Sequence, residues 1–84
     1  MYEATITADR LGPGKGGRII ELRGGGPMTR RMTELGLFPG ATILRRHTAP
    51  GGSPIAFEVG GALLALRSKD AAQILVREDA PWTL

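Results

Sequence analysis

The chain predicts a mainly β fold: a small barrel of about five short strands with one helix inserted after the first main strand. Three observations carry this expectation. Thirteen glycines and six prolines cut 84 residues into short pieces. Runs rich in β-branched and aliphatic residues recur between those breaks. Only one segment changes its apolar period from two residues to that of a helix.

Taken in order, residues 1–10 hold an alternation of Tyr2, Ala4 and Ile6, which reads as an edge strand or an arm. "GPGKGG", residues 12–17, reads as a turn, and "RIIELRG" from Arg18 as the first main strand. "GGGP", residues 24–27, is a flexible corner. Met28, Met32 and Leu35 then fall at i, i+4 and i+7, the core-facing stripe of a helix, with Thr29, Arg30, Thr33 and Glu34 off it. Pro27 suits the first helical position, and Gly36 is placed to cap the end in the left-handed conformation that only glycine reaches without strain. Leu37 is then free to fold back onto the stripe, and Pro39-Gly40 sets a tight turn into the next strand. "ATILRRH", "PIAFEVG", "ALLALRS" and "QILVR" supply the remaining strands. Gly60-Gly61 joins the second and third of these as a hairpin, and Ser68 is expected to cap one helical turn over residues 68–72.

Size and composition bound the function. Eighty-four residues make one small domain, residues 1–84, with little room for a deep enzyme cleft, so a binding or accessory role is expected. No apolar run approaches the length of a membrane helix, and the charged, alternating N-terminus is not a signal peptide. With no cysteine there is neither a disulfide framework nor a thiolate metal site, which fits a reducing compartment, the cytoplasm.

The net charge of +3 is unevenly spread: from Arg10 to Arg46 there are eight basic residues against Glu21 and Glu34, whereas from His47 onward three basic residues face four acidic ones. A basic half favours an acidic partner, protein or nucleic acid. Neither glycine cluster has phosphate-loop spacing. His47 is the only histidine, and Glu58 is expected near it across a hairpin, which leaves a weak adventitious metal site open, although the further ligands a metal site requires are not visible in the sequence. No catalytic set stands out, so no enzyme and no cofactor is expected.

"RRMTELGLFPGATI" followed by "APGGSPIAFEVGGALLALRSKDAAQILV" resembles the FeoA family, ferrous iron transport protein A, over roughly residues 10–78. Its most specific blocks here are Leu35-Gly36-Leu37-x-Pro39-Gly40, Ala49-Pro50-x-Gly52-x-Pro54-Ile55, and the apolar strand ending at Leu66-Arg67. The resemblance implies an SH3-like barrel acting beside FeoB, a membrane ferrous iron transporter with a cytosolic G-domain, as a module without catalysis or membrane insertion of its own. It also implies kinship with the C-terminal barrel of iron-dependent repressors, whose DNA-binding domain has no counterpart in this length.

Two departures stand out. The family's Gly-Asp-Pro loop is Gly52-Ser53-Pro54 here, and an apolar strand position is Arg45, which must either lay its stem over the core edge or cede the inward place to Leu44 through a bulge. The contact surface expected from the residues is Phe38, presented at a rigid corner beside Arg30 and Arg31, then Arg46 and the loop from Pro50 to Pro54. A homo-oligomer is left open, and nucleic acid is not expected as a partner. The alternative is an RNA- or ribosome-associated binding module, because "PGKGGRIIEL" is loosely similar to the glycine-containing segment of KOW modules.

Overall fold

A computed structural model describes residues 5–78. The order is β1 (Thr5–Thr7), a 3-10 turn (Ala8–Arg10), β2 (Gly16–Leu22), α1 (Gly26–Glu34), β3 (Thr42–Thr48), β4 (Ile55–Val59), β5 (Ala62–Leu66), α2 (Ser68–Ala71) and β6 (Ile74–Glu78). Six strands form one sheet in the order β1-β6-β2-β3-β4-β5, every neighbouring pair antiparallel. The outer strands β1 and β5 are not paired with each other, so the described part of the sheet is an open rather than a closed barrel. Six strands rather than five result because the N-terminal alternation does form an edge strand, against β6, with Ile6 opposite Val76. Tyr2 and Ala4 of that alternation lie outside the described residues.

The core is apolar throughout. Phe57, Leu11, Ile19, Leu37, Ile43 and Ile74 are all essentially sealed from solvent, and no polar side chain is buried among them. β4 shows how the sequence achieves this: Ile55, Phe57 and Val59 alternate with Ala56 and Glu58, so one pleat face is wholly apolar. Gly60 and Gly61, both at positive φ, then close the β4–β5 hairpin, the geometry a two-residue turn of the primed type requires.

The expected turn over residues 12–17 is shorter than read. It closes with Lys15 N–H donating to Gly12 O, and Gly16 and Gly17 already belong to β2. Their lack of a side chain is a packing requirement. A Cβ on Gly17 would drive into the Arg77 carbonyl of β6 and lie 2.8 Å from Val76 Cγ1; one on Gly16 would press on the Ile43 carbonyl and lie 3.1 Å from Leu44 Cα of β3.

Arg45 resolves its own ambiguity. A bulge between Arg45 and His47 shifts the β3–β4 register, and the half-buried Arg45 sends its guanidinium back to the 3-10 turn. There it donates to the carbonyls of Leu11 and of Asp9 (3.2 Å), while Nη2 and Nε reach Thr48 Oγ1 at 2.6 and 3.0 Å. Where an apolar side chain would only pack, this arginine also supplies donors to the carbonyls of Asp9 and Leu11.

Candidate protein-docking site

The corner bearing Phe38 is built by two consecutive glycine devices. At the end of α1, Leu37 N–H donates to Met32 O (2.9 Å) and Gly36 N–H to Thr33 O (3.1 Å), with Gly36 at φ 101°. This is the Schellman arrangement, and its accompanying apolar contact is supplied by Leu37 and Met32, both buried. Next, Ala41 N–H donates to Phe38 O (3.0 Å) across Pro39 and Gly40, the latter at φ 97°, as in a type II turn. Gly40 N–H and Ile19 O (2.8 Å) then lock this turn onto β2. Phe38 is thus held between two fixed turns and stays 45% exposed.

The helix stripe behaves differently from the expectation. Only Met32 is buried; Met28 is 39% and Leu35 46% exposed. At this end of the helix the Schellman turn brings Leu37 back beside Met32, and Leu37 is the residue that is buried. Met28 and Leu35 face shallow depressions. Leu35 and Phe38 together border one of about 370 Å³ against Val59, Gly60 and Ala62. Met28, Met32 and Leu35 border a second of about 430 Å³ that also meets Leu66 and Arg67. Arg30 and Arg31 flank a third, with Pro27, Met28 and Glu34.

Phe38, Arg30 and Arg31 therefore share one region of surface, joined by Leu35 and Met28. Both lie on the apolar stripe that helical spacing predicts, and both are exposed. Arg46, Pro50 and Pro54 border none of these three depressions. Arg46 makes an ion pair with Glu58 at 3.4 Å, with both side chains nearly half exposed, a pairing of small energetic weight. The loop carrying Pro50 and Pro54 is tied down by Ser68, whose Oγ donates to Gly52 O (2.8 Å) and whose N–H donates to Ser53 Oγ (3.1 Å). The sequence predicts Ser68 as the cap of its own helical turn; it makes no such bond, because Arg67 takes the cap position and the serine holds the loop instead.

The pairing of His47 with Glu58 also fails. His47 sits opposite Ala56 in the register and Glu58 opposite Leu44, and the ion pair that Glu58 makes is with Arg46. Among the described residues no three His, Asp or Glu side chains converge. No helix among the described residues is long and apolar enough to cross a membrane.

The domain as a whole matches known proteins. A family model described as the FeoA domain matches residues 6–78. No curated protein matches the sequence. Among solved structures, the crystal structure of an iron uptake regulatory protein (FeoA) is 30% identical and superposes with a TM-score of 0.83 over 90% of this chain and 100% of that one. FeoA of Stenotrophomonas maltophilia, solved in complex with zinc and described as a prokaryotic SH3 domain protein and candidate ferrous iron transport activating factor, is 25% identical. It gives a TM-score of 0.76 over 84% of this chain and 88% of that one. The fold is accordingly SH3-like. IdeR of T. acidophilum, at 20% identity, shares the fold over 94% of this chain and 36% of its own length, with a TM-score of 0.79.

Proposed function

The chain belongs to the FeoA family, and from that premise we propose that it is a small cytoplasmic accessory protein of ferrous iron uptake, which binds a FeoB-type transporter and modulates Fe2+ transport. The observation that carries this reading is the exposed apolar group Met28, Leu35 and Phe38 beside Arg30 and Arg31. Rigidly presented apolar residues bordered by arginines are the usual anchors of protein interfaces, and their low conformational freedom limits the entropy lost on binding. The proposed contact surface has Phe38, Arg30 and Arg31 at its centre, with Arg46, Pro50 and Pro54 as an outlying patch. The role described for the Stenotrophomonas relative supports the same assignment.

Such a module needs no catalysis of its own. It acts by binding one nucleotide or conformational state of the transporter more tightly than another, and the affinity ratio sets the size of the effect. An RNA-binding reading is less well supported: Phe57 lies wholly inside the core, which leaves Phe38 as the exposed aromatic among the described residues, whereas single-strand binders use several aromatic platforms.

Calorimetry against the G-domain of the transporter from the same organism, apo, with GDP and with a GTP analogue, tests the proposal. It predicts binding whose affinity differs between nucleotide states. Absence of binding in every state would overturn the G-domain as the docking partner.

A further inference from the structure

β5 is the outermost strand of the sheet opposite β1, and its residues Ala62 to Leu66 are all alanine or leucine. One edge is hydrogen-bonded to β4; no strand among the described residues pairs with the other. An unpaired edge offers a row of backbone N–H and C=O groups to any passing chain, and proteins normally blunt it with lysine, proline or a bulge. β5 carries none of these. Its register with β4 runs without a shift from Ile55↔Leu66 to Val59↔Ala62, and Leu63 is 59% exposed. Beside β5 lies the groove of about 430 Å³ shared with α1, its apolar wall formed by Met32, Leu35 and Leu66. Arg31, Arg67 and Lys69 border it against a single carboxylate, Asp70, and none of the three cations is ion-paired among the described residues.

We propose that β5 receives an extended segment of the partner protein as an added strand, and that this segment carries apolar residues at alternate positions and a net negative charge. This rests on the reading that the chain docks onto a partner protein, and adds how it does so. Backbone pairing supplies the affinity of such additions, while alternate side chains select the sequence. The charge of the groove chooses between occupants. A second copy paired through its own β5 would bring the same three cations against their equivalents across the two-fold axis. An RNA strand would neutralise the cations but leave both the apolar wall and the edge amides unused. An acidic, alternately apolar strand satisfies all three features.

The experiment is amide NMR on the isotope-labelled full chain, titrated with a peptide of about eight residues alternating valine and glutamate, and with its valine–lysine twin. The expected result is shifts concentrated at Ala62–Leu66, amide exchange there slowed at least about tenfold at saturation, and no such response to the twin. The variant Arg67→Glu/Lys69→Glu is expected to weaken the acidic peptide about tenfold while keeping the free protein's spectrum elsewhere. Equal response to both peptides, shifts away from β5, or β5 amides already protected at high dilution of the free chain would each overturn strand addition. Titrating the transporter's G-domain into the same sample separates the two proposals. Binding that leaves β5 unperturbed removes strand addition and keeps the accessory reading; peptide binding at β5 without G-domain binding removes that transporter surface and keeps the edge.

Discussion

The β2–β3–β6 side of the sheet and the α1–β5 side use similar residues to opposite ends. On the first, strands approach so closely that Gly16 and Gly17 have no space for a Cβ, and Ile19, Ile43 and Val76 are sealed. One of the cations there, Arg45, is even turned back to serve backbone carbonyls. On the second, Met28, Leu35, Phe38 and Leu63 remain 39–59% exposed, and Arg30 and Arg31 are exposed beside them. A chain of this size has few large apolar residues to spare from its core. Three of them, Met28, Leu35 and Phe38, stand outside it around adjoining depressions, as in a surface kept for contact rather than for stability.

The contrast requires that substitutions on the two sides separate stability from binding. The largest effect is expected from Gly17→Ala. Its new Cβ meets backbone of β6, which cannot yield as a side-chain tip would, so a loss of about 3 kcal/mol is expected. In a domain of this size that corresponds to a melting temperature lower by roughly 15 °C, read by circular dichroism. Arg45→Leu restores an apolar residue to the strand yet leaves the Asp9 and Leu11 carbonyls without their donor. A cost of about 2 kcal/mol is expected from charge-assisted bonds of this kind, measured by urea unfolding. A variant more stable than the parent would show that packing, not donation, is what the position requires. Ser68→Ala removes the tie to Gly52 O and is expected to cost about 1 kcal/mol. Its clearer signature is faster amide exchange at Gly52, whose N–H closes the loop onto Ala49 O, with the rest of the sheet unchanged. On the other side, Phe38→Ala with Arg31→Glu is expected to alter stability by no more than about 0.5 kcal/mol, the scale of exposed substitutions.

What the sequence makes legible follows the range of the physics involved. Gly36, Pro39-Gly40 and Gly60-Gly61 act within four residues, and each does in the structure what its local chemistry predicts. Every expected strand is present within a few residues of its predicted bounds. Gly16 and Gly17 resemble turn residues in the sequence because glycine in a strand is explained only by neighbours, here β3 and β6, that are distant in the chain.

Helical periodicity correctly put Met28, Met32 and Leu35 on one face, but periodicity states which residues share a face, not what covers it. Phe38, Arg30 and Arg31 were reachable as site candidates because a Gly-capped helix followed by Pro-Gly presents whatever lies between. The groove beside β5 was not, since it depends on strand order. Its one local trace is "ALLAL", where Leu63 and Ala65 stand at positions that a solvated strand face gives to polar residues.

The most direct test of the account is one paired measurement on Phe38→Ala/Arg31→Glu: its melting temperature beside the parent's, and its calorimetric affinity for the transporter's G-domain in the nucleotide state the parent prefers. The account predicts an unchanged melt with affinity lowered about a hundredfold, the size of a lost aromatic anchor and a reversed charge together. An unchanged melt with unchanged affinity would contradict it, and would show that the exposed α1 corner is not where the chain meets that domain.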